Sequence, residues 1–176
     1  MGGKLLGLMI AYGGYVPIDA VTVNKSPTSK VKSPCIGVCS TGIGDSVCRG
    51  CKRFTHEIIH WNAYSERERS AIRSRLESLL AQVVSSKLVI VNERLLRQQV
   101  ATQKIRHNPL APAHCLAFDL LKAGANQITS LKDFGLALLP GVQEETLPEL
   151  RDAIDEDFFV LSSVHYERYF PVEVSK

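Results

Sequence analysis

The sequence predicts a mainly α protein with little β: a cysteine-knuckle metal module with two helices, followed by a small helical C-terminal domain. Three observations predict it. Four of the five cysteines fall within the 17 residues from Cys35 to Cys51. Helix start signals with apolar residues at helical spacing recur after them. The best strand candidate is one short run, Leu88-Val89-Ile90-Val91, with three β-branched residues. At 176 residues with 45% hydrophobic and 22% charged side chains, the chain can bury a core, which excludes wholesale disorder and collagen-like classes.

Residues 1–32 read as a leader and linker. Lys4 precedes the apolar run Leu5-Leu6-Gly7-Leu8-Met9-Ile10-Ala11, which resembles part of a secretory signal. The run is short, is followed by Gly13-Gly14, Pro17 and Asp19, and falls well below the roughly 20 apolar residues that span a bilayer, so no membrane is expected. From Asn24 to Pro34 the chain is polar, basic and too poor in large apolar residues to order itself.

Residues 33–85 form the metal-binding module. After the cysteine box, Thr55 is placed to cap a short helix from His56 to about Tyr64, with Ile58, Ile59 and Trp61 as its apolar contacts. Ser65-Glu66-Arg67-Glu68 is a capping box. The helix it starts carries Ala71, Ile72, Leu76, Leu79, Leu80 and Val83 on one stripe, leaving Arg67, Arg69, Arg73 and Arg75 to be solvated.

Residues 86–176 form the helical C-terminal domain. The strand at 88–91 leads to Asn92, a cap for a helix through about Ile105. His107-Asn108-Pro109-Leu110-Ala111-Pro112 breaks that helix; Pro112 suits the first turn of the next, which ends at Gly124. Short helices are expected near Ser130 to Leu138, Leu147 to Asp155 and Ser162 to Tyr169.

Charge is unevenly divided. Residues 1–106 hold 16 Lys and Arg against 7 Asp and Glu, and residues 107–176 hold 5 against 11, so the halves carry +9 and −6. Such a basic half suits nucleic acid or an anionic surface, and it equally suits attraction to the acidic half of the same chain.

The chemistry resides in Cys35-x3-Cys39-x8-Cys48-x2-Cys51. Two close pairs joined by a short loop can set four soft donors around one centre, as tetrahedral zinc or a small iron-sulfur cluster requires. Gly37, Gly42, Gly44 and Gly50 permit tight turns that bring backbone amides toward the sulfurs, and Arg49, Lys52 and Arg53 would offset thiolate charge. Clustered cysteines of odd total number do not form a spaced disulfide framework, so the reducing cytoplasm is the expected compartment. Cys48-x2-Cys51 alone also matches a redox dithiol, although the βαβ context of such motifs is missing. Ligand chemistry leans to zinc.

These residues carry a resemblance. Ser33-Pro34-Cys35-Ile36-Gly37-Val38-Cys39, Cys48-Arg49-Gly50-Cys51, Arg53, Glu57-Ile58, Trp61, Ser65, Glu68-Arg69 and Arg75-Leu76 resemble a short bacterial four-cysteine family of unknown function typified by YdhL, labelled as predicted iron-sulfur proteins. The resemblance covers residues 33–77 and implies a ligand role for Cys35, Cys39, Cys48 and Cys51. Phe54 and Tyr64 stand where threonine and methionine are more usual, and Gly42-Ile43-Gly44 replaces a more acidic loop.

Other residues have plainer readings. Cys115 lies among Leu116, Phe118, Leu120 and Leu121 and is expected in the core. His56 and His60, one helical turn apart, are superfluous to a four-thiolate site. Trp61 is the expected anchor between the cysteine box and the second helix. Asp152, Asp155, Glu156 and Asp157 read as a solvated helix face. Neither a Gly-rich phosphate loop nor a nucleophile elbow or triad is present, so nothing demands an enzyme. The expected function is a metal-binding interaction or adaptor module with an unknown protein partner. An iron-sulfur electron-transfer or redox-sensing protein is the alternative. Nucleic-acid binding through Lys25, Lys30, Lys32, Arg49, Lys52 and Arg53 is the third reading.

Overall fold

The computed structural model describes residues 30–143 and 146–171, so the expected leader lies almost wholly outside the described residues. The described residues are mainly helical with one small sheet. A 3-10 turn at Ser40–Ile43 precedes α1 (Thr55–Ile59) and α2 (Glu66–Ser85), then β1 (Leu88–Ile90), α3 (Glu93–Thr102) and α4 (Ala113–Gly124). A second 3-10 turn at Leu131–Phe134 leads into β2 (Leu136–Leu138), and α5 (Leu147–Tyr169) ends the described chain.

Local signals set most boundaries. The Ser65 hydroxyl accepts from the Glu68 amide, and the Glu68 carboxylate accepts from the Ser65 amide at 2.8 Å, so the capping box starts α2 as expected. The Asn92 side chain likewise caps α3 by accepting from the Leu95 amide at 3.0 Å. Pro112 stands at the N-cap of α4, one residue before its expected place, and Gly124 ends that helix. The first helix departs from expectation. Phe54, not Thr55, is its N-cap, because the Glu57 carboxylate takes the Phe54 amide at 2.9 Å, and the helix stops at Ile59.

Two further expectations are corrected. The segment Ser130 to Leu138 is helical only as the 3-10 turn Leu131–Phe134: Gly135 adopts a left-handed conformation and turns the chain into β2. That strand pairs antiparallel with β1, with Ile90 opposite Leu136. The carbonyl of Gly135 accepts from the amides of Val91 and Asn92, and a Cβ at Gly135 would lie 2.4 Å from the Asn92 carbonyl oxygen, so backbone touches backbone there. The two short helices expected at the C-terminal end are one continuous helix of 23 residues, α5, started by a Thr146–Glu149 capping box.

The core is apolar and collects α2, α3, α4 and α5 around β1 and β2. Its centre is Val84, Leu96, Val100, Leu116, Leu121 and Ile154, all fully buried. α4 is apolar almost all round because α2, α3 and α5 each cover part of it. α2 serves both regions of the molecule: Leu76, Leu79, Val83 and Val84 enter the core, while Arg69 and Arg75 reach back to the cysteine-bearing segment. The two charge halves meet directly, in Lys52–Asp155 and Lys87–Asp157 ion pairs. Among the described residues no helix is long and apolar enough to cross a membrane.

Candidate metal centre

The cysteine segment folds as a hairpin. Thr55 donates its amide to Ser46 O, Cys48 donates to Arg53 O at 2.9 Å, and Lys52 donates to Cys48 O at 2.8 Å, so the chain turns tightly around Arg49 and Gly50. The Thr55 hydroxyl ties the base of the hairpin by donating to the Asp45 and Ser46 carbonyls. Closure of so short a turn forces Lys52 to φ +58, a left-handed conformation that L side chains rarely adopt.

Residues 34–39 cross this turn. A Cβ at Gly50 would lie 2.6 Å from the Val38 carbonyl oxygen and 3.0 Å from the Ile36 side chain, so only glycine permits the contact. The Cys48 thiol donates to the same Val38 carbonyl at 3.6 Å, and the Ser40 hydroxyl accepts from the Arg49 amide at 2.9 Å. Two cysteine-bearing turns are thus laid against each other by their backbones.

The sulfurs themselves divide into pairs. Cys48 and Cys51 are buried and neighbour each other, while Cys35 and Cys39 are exposed. Cys35 accepts from the Gly37 amide at 3.4 Å, and Cys39 shares a hydrogen bond with the Thr41 hydroxyl at 3.0 Å. Among the described residues no three His, Cys, Asp or Glu side chains are gathered closely enough to hold a metal ion. The backbone therefore brings both turns together, with Cys48 and Cys51 buried on one and Cys35 and Cys39 exposed on the other. As a donor set, four soft thiols on two touching turns fit a four-thiolate centre, with Cys35 and Cys39 needing to turn inward.

Electrostatics distinguish the buried pair. Burial pushes the Cys48 thiol up, but the backbone amides of Cys51, Ser40 and Gly50 and the Cys51 thiol together outweigh it and bring it down to about 7. Cys51 is raised by burial, against the pull of Arg53, whose Nε donates to the Cys51 sulfur at 3.4 Å. Of the three cations expected to offset thiolate charge, Arg53 alone contacts a sulfur. Lys52 turns away to pair with Asp155 at 2.5 Å, and Arg49 pairs with Asp45 and stacks on Phe159 at 4.5 Å.

Around the hairpin, rings and cations replace aliphatic packing. Arg53 lies over Trp61 at 4.8 Å, and Arg69 lies over the same ring while donating to the Trp61 carbonyl. Trp61 is buried between the hairpin and α2, the anchoring role its position suggests. Arg75 lies 3.9 Å over Phe54 and pairs with the buried Glu57 at 2.7 Å. The expectation that Arg69, Arg73 and Arg75 are solvated is corrected: their side chains are mostly covered, because each stem crosses the outside of α2 toward a ring or carboxylate. In the acidic cluster, Asp155 and Asp157 are ion-paired rather than simply solvated.

Cys115 sits in the core as expected, donating to the Glu77 carbonyl, with its pKa raised to about 12 chiefly by burial. His56 packs against Phe54 and Phe170, and the exposed His60 against Tyr64. Sequence reasoning missed Lys52 and Asp155, which join the hairpin to α5. They lie 103 residues apart, and no local pattern links them.

No curated protein and no solved structure matches the chain. Residues 33–79, spanning the cysteine hairpin, α1 and most of α2, match the model of the family described as a protein of unknown function, DUF1289.

Proposed function

We propose that Cys35, Cys39, Cys48 and Cys51 bind one zinc ion or a small iron-sulfur cluster, and that the metal stabilises the N-terminal part of a non-enzymatic interaction or adaptor protein. The observation that carries this reading is the close crossing at Gly50, which seats the turn bearing Cys35 and Cys39 on the turn bearing Cys48 and Cys51. Arg53 and the amides around Cys48 favour thiolates, which are the metal-binding form. The bound group would supply four sulfur-metal bonds to a segment with few aliphatic contacts of its own. A reducing cytoplasm would keep such thiols available.

Elemental analysis of anaerobically purified full-length protein tests the reading. The expected result is one zinc per chain, or iron and sulfide in cluster proportions with visible absorbance. Metal-free protein whose hairpin is fully ordered, and which takes up neither zinc nor iron, overturns it. Stoichiometric iron with reversible bleaching on reduction would select the electron-transfer or redox-sensing alternative.

The nucleic-acid reading has less support. Lys52, Arg53, Arg69 and Arg75 face carboxylates, sulfur and rings inside the fold, leaving Lys30, Lys32, Arg49 and Arg67 as exposed cations among the described residues of that region, while Lys25 lies outside the described residues.

A further inference from the structure

We propose that Cys48 and Cys51 form a reversible dithiol-disulfide couple when no metal is bound, oxidised by a low-molecular-weight disulfide that reaches Cys51 through the cleft between the hairpin and the helical core. The disulfide itself is independent of the metal reading. Its regulatory consequence, that closure removes two of four ligands, rests on that reading.

Geometry selects this pair among the five thiols. The bond from the Lys52 amide to Cys48 O closes a five-residue turn, about one turn of helix, in which residues three apart lie about 5 Å from each other at Cα, a span that a disulfide accepts. Both cysteines are buried side chains of that one turn. Cys35 and Cys39 lie instead on the other turn, exposed, and Cys115 is buried on α4.

Access sets the order of events. Cys51 lines an open cleft of about 220 Å³ whose opposite walls include Leu76, Cys115 and Phe158, whereas Cys48 lies behind it at 1% exposure and is not part of that lining. The Cys51 thiolate attacks one sulfur of the oxidant, forming a mixed disulfide and expelling one thiolate, which takes up a proton. The Cys48 thiolate then attacks the Cys51 sulfur and expels the second. Two protein thiols lose two protons and two electrons, and the oxidant becomes two thiols. Nothing else is consumed.

The test uses the full chain, stripped of metal under reducing conditions and exposed to glutathione disulfide, then alkylated and digested. Cleavage before Asp45, after Arg49 and after Lys52 places Cys48 and Cys51 in separate short peptides, away from Cys35 and Cys39. The expected product has lost two hydrogens, links those two peptides, carries alkylated Cys35, Cys39 and Cys115, and reverts with dithiothreitol. The Cys48→Ser variant should stop as a mixed disulfide on Cys51. Linkage of Cys35 to Cys39 or of Cys51 to Cys115, or five thiols all alkylated, overturns the proposal. Protein preloaded with zinc should oxidise at least tenfold more slowly. Equal rates with and without zinc alongside the Cys48–Cys51 link would count against the metal reading and leave the couple standing.

Discussion

Between Ser46 and Trp61 the buried side chains are largely sulfur, ring or charge: Cys48, Cys51, Lys52, Arg53, Phe54, Glu57 and Trp61. Between Cys115 and Leu121 they are thiol, aliphatic and phenyl groups packed on three other helices. Both stretches are buried, but by different physics. The helical core gains from removing apolar area from water, which is non-directional and tolerant of small displacements. The hairpin depends on directional contacts, each of which fixes a geometry and leaves an unpaired charge or an empty ring face if its partner is removed. A segment stabilised in this way holds its sulfurs in place without a large core.

The strongest break in the comparison comes from the core. Leu121 is fully buried, and Leu121→Ala should lower unfolding stability by about 2–5 kcal/mol, read from the urea midpoint. If the hairpin depends chiefly on its own contacts, cysteine alkylation at low urea should be unchanged in this variant. An increase equal to the global loss would show one cooperative unit instead.

A smaller effect is expected at the joint between the regions. Asp155→Ala strands the Lys52 ammonium, whose side chain is 1% exposed, and breaking such a pair costs about 3–5 kcal/mol when both partners are buried. The Asp155 side chain is 52% exposed, so water replaces part of the loss and the effect should fall at or below the low end of that range. Lys52→Met together with Asp155→Ala should be less destabilised than Asp155→Ala alone. A double variant as unstable as the sum of the singles would show that the pair is not coupled.

These two regions also differ in how far the sequence reveals them. Ser65, Asn92 and Gly124 mark helix ends through bonds to residues three or four away, so their signals survive without tertiary context. β2 is three residues long and exists because β1, 48 residues earlier, offers a partner; read alone, its surroundings pass for helix. The end of α5 was obscured by Ser162-Ser163, which resembles a new helix start. In the fold Ser162 is buried against neighbouring elements, and Ser163 donates back to the Phe159 carbonyl, so the helix continues. At the site, the cysteine spacing is legible because ligands from one chain segment must be close in sequence. The partners that seat the hairpin, Arg75 with Glu57 and Lys52 with Asp155, are not, since a charge in a sequence carries no record of whether water or a distant side chain neutralises it.

The smallest effect distinguishes the core by pH. His114, at the start of α4, has its pKa lowered by burial, against the opposing pull of Glu93. The folded protein therefore binds that proton less readily than the unfolded chain, whose histidine titrates near 6.5. Between those two values the unfolded state holds more protons, so stability is fully present above pH 6.5 and declines as pH falls through the folded pKa. His114→Gln removes the titration while keeping a polar side chain of similar reach. Urea midpoints at pH 8 and pH 5 should differ more in the wild type than in this variant. Equal differences would place the acid sensitivity of the fold elsewhere than on α4.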